Sequence, residues 1–251
     1  MSRDGTRRSG SARGRTLAVG WTLAVLAIAL FCTLGTWQAR RAVEKQAMLD
    51  AAARVLADRR TAPRDAGADP ARAREFDWYV ARGRFDAQPP LLLDNQLRGG
   101  RAGVRVYRLF TPAGVERPLL VDLGWLPLAG DRALPPLAPL PAGDVELRGL
   151  LAPPPSTGLE LGAAMARRDD VWLMTRVDLA AIADALGAAA APSPRVLRLD
   201  PDLPLGYTRD LALLANTLPP DKHRGYALQW FALALAVLVT ALVLSLRRKN
   251  A

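Results

Sequence analysis

The sequence predicts an α+β membrane protein in which two transmembrane helices flank a mainly antiparallel, barrel-like β domain with one or two helices. Residues 16–34 and residues 226–246 contain no charged side chain, and about 20 apolar residues suffice to cross the hydrocarbon core of a bilayer. Between these stretches, short apolar runs at strand spacing are separated by glycines and prolines. That pattern is typical of antiparallel strands that close on themselves.

The first apolar stretch has an alternative interpretation as a cleaved signal peptide. Signal peptides carry an apolar region of about 7–15 residues followed by a small-residue cleavage site. Residues 16–34 form a longer stretch, and Trp37 and Gln38 follow it where small residues would be required. We therefore interpret the stretch as a retained transmembrane helix.

The net charge of +10 comes mostly from two short tails, residues 1–15 and residues 247–251. Basic residues beside a membrane span are typical of its cytoplasmic side. We expect both tails to be cytoplasmic, with the first unstructured, and residues 35–225 to form a periplasmic domain. The membrane would then be a bacterial inner membrane, or the equivalent mitochondrial one. Basic residues also flank the spans on the outer side, but long domains are translocated largely regardless of charge. Nucleic-acid binding is not indicated, because no basic stripe marks the central domain.

Local patterns predict the elements of the central domain. Strong helix formers extend the first helix over residues 37–60, and prolines then mark a loop over residues 61–70. Asp178 and Gly187 are suited to begin and end a short helix. The proline-rich residues 127–141 predict a loop over the surface, and residues 216–221 a turn into the second span. Strands are expected over residues 78–85, 91–96, 104–109, 119–125, 145–150, 171–174 and 196–199.

The residues that usually carry catalysis or bind metals are scarce. His223 is the only histidine and Cys32 the only cysteine, so a disulfide and a Cys/His zinc site are both excluded. No phosphate loop or nucleophile motif occurs, and we predict no catalytic residue. We interpret Asp94, Asp122 and Asp131 as carboxylates that cap turns or face solvent.

His223 stands out because it precedes the second span on a predicted helix. Helical spacing places it on one stripe with Tyr226 or Ala227 and with Trp230. A neutral imidazole on such a stripe can serve as an axial haem ligand, with Arg41, Lys45 and Arg224 near the propionates. The alternative is an aromatic belt at the membrane surface with an incidental histidine, and the pattern alone leaves both open.

Two glutamines lie at matching ends of the spans, Gln38 after the first and Gln229 about one turn inside the second. An amide facing lipid is costly, so each should face a partner helix or a cavity. Their simplest partners are each other or nearby backbone groups. A role in pairing the two spans is as compatible with the pattern as a role in ligand binding. We expect the Trp37–Gln38 group and the His223 group to meet at one membrane surface.

Four groups of residues follow one another along the chain. They are Gly35, Trp37, Gln38, Arg40 and Arg41 with Lys45; residues 92–96 with Gly100, Arg101, Ala102 and Gly103; residues 120–122 with Gly124, Trp125, Leu126, Pro127 and Arg132; and His223, Tyr226, Ala227, Gln229, Trp230 and Phe231. Together they resemble the motifs of the Surfeit locus protein 1 family of cytochrome c oxidase assembly factors, in a bacterial member. Two departures stand out: Leu123 where the family usually has Arg, and Val104 where it usually has an aromatic residue.

The resemblance implies an assembly factor, not an enzyme, that acts in insertion or protection of haem a in subunit I of a haem-copper oxidase. The implied partners are subunit I and haem a synthase. It nominates His223 as ligand of the haem iron, with a site lined by Trp37, Gln38, Arg41, Tyr226, Gln229 and Trp230. The alternative is a haem-free membrane chaperone that stabilises subunit I during assembly.

Overall fold

The structure is a computed structural model that describes residues 6–130, 132–134, 136–156, 162–214 and 217–249. The chain divides into two compact units. One contains Met1–Met48 and Thr217–Ala251, and the other contains Leu49–Asn216. Asp131, one of the three carboxylates considered above, lies outside the described residues.

Two long helices dominate the first unit. Helix α1 spans Thr6–Asp58 and helix α3 spans Pro220–Lys249. Both are long and apolar enough to cross a membrane. The prediction of an unstructured tail was wrong for residues 6–15, because helix α1 already begins at Thr6. Helix α3 likewise begins before the uncharged stretch, at Pro220, where the fixed φ of proline suits a first helical turn.

The second unit contains eight strands in its described part and the short helix α2, Leu179–Leu186. The predicted strands are confirmed with small extensions, and β6 was not predicted. The short helix begins as predicted, since the Asp178 side chain accepts hydrogen bonds from the N–H groups of Ala180 and Ala181. The strands are β1 Asp77–Phe85, β2 Leu91–Arg98, β3 Arg101–Pro112, β4 Leu119–Pro127, β5 Val145–Ala152, β6 Met165–Arg168, β7 Val171–Met174 and β8 Val196–Leu199.

The sheet closes on itself, as expected. Its order is β1-β5-β8-β4-β3-β2-β7-β6, and an additional pairing of β1 with β3 completes a five-stranded ring. Strand β3 is long enough to pair with both β2 and β1 along one of its edges. Tyr107 pairs with Leu91 of β2, and Phe110, further along, pairs with Phe85 of β1. Two pairings between these eight strands are parallel, β2 with β7 and β4 with β8. The domain is therefore a mainly antiparallel barrel with an extension at one edge.

Apolar side chains form one cluster inside the ring and a second outside it. Both family departures are buried in the inner cluster, with Leu123 at 2% and Val104 at 0% exposure. The outer cluster packs strands β2, β3 and β7 against Ile182 of α2. The proline-rich segment was predicted to run over the surface, but Leu134, Leu137 and Leu140 pack against the inner cluster. The segment offers a leucine at every third of these positions, so it runs over the barrel and covers the core with those leucines.

Asp122 contradicts the expectation of a solvent-facing carboxylate. It is 4% exposed, and it forms an ion pair with Arg105 of the neighbouring strand at 2.5 Å. Its second oxygen accepts a hydrogen bond from the N–H of Gly124. Gly124 has a φ of +114° and lies at a bulge in the pairing of β3 with β4. Burial of a carboxylate is tolerated where a cation and hydrogen bonds satisfy it. By contrast, Asp94 pairs with the exposed Arg132 at 2.7 Å.

Candidate functional site

Helices α1 and α3 lie antiparallel and contact each other at several levels between Trp21 and Gln46 of α1. Near one end, the indole N–H of Trp21 donates to the Ser245 hydroxyl at 2.9 Å. Further along, the rings of Phe31 and Trp230 lie 5.6 Å apart. Small residues on both helices permit this close approach, as is common where membrane helices pair.

The hydrogen bond between Gln38 and His223 marks the other end of the pair. Atom Nδ1 of His223 lies 2.6 Å from Oε1 of Gln38. An amide oxygen can only accept, so the imidazole donates its Nδ1–H. The Nε2 atom of His223 is buried and has no hydrogen-bond partner. The two groups that the sequence analysis expected to meet are therefore in direct contact.

Cationic side chains surround this hydrogen bond. Lys45 donates to the carbonyl oxygen of Leu218 at 2.6 Å, and Arg41 pairs with Glu44 at 3.1 Å. His223 precedes the uncharged stretch of α3. A neutral imidazole is the form of histidine that binds metal ions.

The stripe predicted on α3 is present, and Ala227 rather than Tyr226 lies on it. His223, Ala227 and Ala234 are each 6% exposed and Trp230 is half-buried. Tyr226 is 41% exposed. It lies on the flank of the helix, because each residue advances about 100° around the axis.

The remaining nominated residues lie on the outside of the helix pair. Trp37 is 56% exposed, and Gln229 and Arg41 are exposed as well. The expectation that Gln38 and Gln229 pair with each other is wrong, because Gln38 bonds to His223 instead. The structure thus brings His223 and Gln38 together, with Trp230 about two turns further along α3, and leaves the others at the surface.

Whether this site fits a haem depends on the available ligands. Among the described residues, no group of three or more histidine, cysteine, aspartate or glutamate side chains lies close enough to hold a metal ion. A haem needs only one axial ligand from the protein, and the unpartnered Nε2 of His223 offers it. Metal-ligating histidines also usually donate their other ring N–H to an oxygen, as His223 does to Gln38. The residues therefore fit a singly ligated haem.

Two acidic residues near the site were missed by the sequence analysis. Glu44 pairs with Arg41, and Asp221 pairs with Arg224 at 2.6 Å. Both pairs are three residues apart on a helix, which is a spacing that brings side chains together. That spacing was visible in the sequence. Of the three cations expected near the propionates, Arg41 and Arg224 are paired with these acidic residues. The third, Lys45, already donates a hydrogen bond to the carbonyl oxygen of Leu218.

Comparison with known families gives one match. A model described as SURF1 family matches residues 25–235, a range that includes all four motif groups noted in the sequence. The resemblance drawn from those motifs is thereby confirmed. No curated protein matches the chain.

Proposed function

Because this chain belongs to the SURF1 family, which is associated with cytochrome c oxidase assembly, we propose that it binds haem a at His223 and assists its insertion into oxidase subunit I. The partners in this proposal are subunit I, which receives the haem, and haem a synthase, which supplies it. In this role the protein binds and releases a cofactor and catalyses no reaction.

One observation carries the proposal: His223 presents a buried, unpartnered Nε2 while its Nδ1–H is held by Gln38. Haem supplies the redox-active iron, and the protein supplies one nitrogen ligand and an apolar helix surface. Trp230 and the exposed rings of Trp37 and Tyr226 offer aromatic area at the same end of the helix pair. Lys45 offers a positive charge for a propionate once its bond to Leu218 is exchanged.

The test uses full-length protein co-expressed with the enzymes of haem a synthesis. After purification in detergent, the optical spectrum and the extracted haem per chain are measured for the wild type and for His223→Ala. We expect haem a in the wild type and a strong loss in the variant. Absence of haem in the wild type, or undiminished haem in the variant, would reject the ligand role. Lys222→Ala serves as a matched control, because it truncates an exposed side chain next to His223 on α3.

A second candidate function is a haem-free chaperone that stabilises subunit I. It is favoured by one observation, since the side chain of His223 is covered and only 6% of its surface is exposed. Iron would have to displace the atoms that cover Nε2. Co-purification with subunit I in a strain without haem a synthesis separates the two candidates. The chaperone requires the complex to form there, whereas haem delivery requires complex formation to depend on haem a.

The non-catalytic role has its own test. SURF1 proteins form an assembly-factor family and not a known enzyme class. We expect single replacements of exposed acidic residues in the β domain, such as Asp144→Asn and Glu146→Gln, to leave oxidase assembly intact. A single replacement that abolished assembly with the fold preserved would indicate a catalytic carboxylate.

The membrane arrangement completes the proposal. The two candidate spans, with basic residues beyond each of them, favour an inner-membrane protein with a periplasmic β domain and cytoplasmic termini. A reporter that is active only in the periplasm should therefore work when fused near Gly187 and fail when fused after Lys249. The reverse pattern would overturn this topology.

A further inference from the structure

We propose that Gln38 is the positioning residue of this site: its side-chain oxygen holds His223 in the Nδ1–H tautomer and so leaves the Nε2 lone pair free for iron. The functional meaning of this inference rests on the proposed haem site, but the experiment that tests it uses protein without haem. A neutral imidazole has one protonated nitrogen, and the hydrogen bond made by that nitrogen decides which one it is. Here that bond joins Nδ1 to Oε1 of Gln38 at 2.6 Å.

The burial of the ring explains why the tautomer matters. In the Nδ1–H form, the buried Nε2 is an acceptor without a partner. In the other form, Nε2 would carry a hydrogen with no acceptor in reach, and the Gln38 amide would have to rotate by half a turn to donate an N–H to the bare Nδ1. Buried N–H groups without an acceptor are rarer in proteins than buried acceptors without a donor. The arrangement therefore favours the tautomer that can bind a metal through Nε2.

The helix packing explains how Gln38 reaches His223. Gly35 lies one turn earlier on α1, and a Cβ atom there would lie 2.8 Å from the ring of Phe231. The absent side chain lets α3 approach α1 at this level. Gln38 is then half-buried at the helix contact, facing His223. Its amide is neutral, so it orients the imidazole without adding a charge that would favour the imidazolium.

The experiment exploits the fact that His223 is the only histidine in the chain. Full-length protein is produced without haem, with ¹⁵N-labelled histidine, and reconstituted in lipid for solid-state NMR near pH 8. Protonated and unprotonated ring nitrogens resonate far apart, and both signals come from His223 because it is the only histidine. The histidine also carries ¹³C, so correlation of each nitrogen with its bonded carbon, Cγ for Nδ1 and Cδ2 for Nε2, tells the two nitrogens apart. We expect a protonated Nδ1 and an unprotonated Nε2 in the wild type.

Three variants make the test specific. Gln38→Met keeps the length of the side chain and removes the acceptor, so a signal for protonated Nε2 should appear. Gln38→Glu keeps an acceptor oxygen and should retain protonated Nδ1. Gln229→Met is the matched control on the exposed face of α3 and should leave the tautomer unchanged. Circular dichroism of each variant verifies that the helices are intact.

Two results would overturn the inference: a protonated Nε2 in the neutral wild-type ring, or an unchanged tautomer in a folded Gln38→Met variant. If Gln38→Met does not fold, Gln38→Glu is compared with the wild type instead. Loss of the protonated Nδ1 in Gln38→Glu would contradict the positioning role of residue 38. Because every sample is free of haem, failure of haem binding leaves these outcomes standing. Conversely, a wrong tautomer rejects the role of Gln38 without rejecting His223 as a ligand.

Discussion

Gly35 of α1 lies directly against the ring of Phe231 of α3, so closely that a Cβ atom at position 35 would be 2.8 Å from Cε1 of the ring. Gly20, in the same helix, has no atom within 4 Å of the corresponding position. Of these two glycines in α1, Gly35 faces the Phe231 ring and Gly20 faces open space. This difference allows the contribution of the helix contact to be measured.

Replacement of Gly35 by alanine should weaken the helix pair. Both Gly35→Ala and Gly20→Ala gain about 1 kcal/mol of helix propensity, so the difference between them reports the clash alone. We expect Gly35→Ala to be less stable than Gly20→Ala by about 0.5–1.5 kcal/mol, the cost of moving the partly exposed Phe231 ring away from its rotamer. Unfolding in mixed micelles by titration with SDS measures the difference. The double variant Gly35→Ala with Phe231→Leu should recover part of it, and no recovery would count against the contact.

The buried pair of Arg105 and Asp122 predicts a strongly asymmetric response to mutation. Asp122→Asn leaves the Arg105 guanidinium buried without its counter-charge, which should cost about 3–5 kcal/mol of unfolding free energy. Replacing both residues with apolar ones, Arg105→Met with Asp122→Leu, should cost less than the two single changes together. Chemical denaturation followed by tryptophan fluorescence measures four variants: Asp122→Asn, the single changes Arg105→Met and Asp122→Leu, and the double variant.

The partly exposed pair of Asp94 and Arg132 serves as the control for this cycle. Surface ion pairs contribute about 0–1 kcal/mol, so Asp94→Asn should fall in that range. If Asp94→Asn proved as costly as Asp122→Asn, burial would not be the cause of the difference.

Arg195 is fully buried and should not tolerate replacement by lysine. Its guanidinium bonds to the carboxylate of Asp77 at 2.7 Å and to the carbonyl oxygens of Ala66, Glu75 and Leu151. A lysine ammonium is a compact charge with three donors and lacks the planar fork that reaches four acceptors. We expect Arg195→Lys to lower the stability by about 1–3 kcal/mol through lost hydrogen bonds. A lysine variant with wild-type stability in thermal unfolding would contradict this account.

Asp200 should make the β domain sensitive to acid. Burial acts to raise the pKa of Asp200, but hydrogen bonds from Arg148 and from the N–H of Asp202, with the charges of Arg148 and Arg59, lower it overall. A carboxylate with a lowered folded-state pKa stabilises the fold above its unfolded pKa and loses that contribution as the pH falls through the folded value.

The matching measurement is the unfolding free energy from pH 7 down to pH 3 for the wild type and Asp200→Asn. The wild type should be the more stable of the two at pH 7, and the gap should narrow below about pH 4, near the ordinary pKa of an aspartate. A gap that stayed constant to pH 3 would show that the effect of Asp200 is not electrostatic. Asp202→Asn is a suitable control, because it keeps the N–H that bonds to Asp200.

The sequence was informative wherever local patterns decide the structure. The alternation of residues 104–109 and the Asp178 cap predicted β3 and α2, because side-chain period and capping are local properties. Strand β6 was missed, since Met165–Arg168 has only one half-buried residue and forms a strand through its pairing with β7. Asp122 was misjudged for a related reason. Its partner Arg105 lies on another strand, and a register with a bulge at Gly124 brings the two together.

The candidate site shows the same division. The ends of the two uncharged stretches predicted that the Trp37–Gln38 and His223 groups meet. The pattern did not show which glutamine bonds to His223, because Gln38 and Gln229 are equally polar. The difference comes from helix rotation, which turns Gln38 inward and Gln229 outward.

The most direct test of the account is magnetic resonance of the iron itself. Full-length protein is co-expressed with haem a synthesis in a histidine auxotroph grown on ¹⁵N-histidine, and the ferric haem is examined by electron spin-echo methods. Since His223 is the only histidine, any ¹⁵N coupling to the iron comes from that residue. The account predicts a ¹⁵N coupling of axial-ligand strength, and haem that is bound without such a coupling would contradict it.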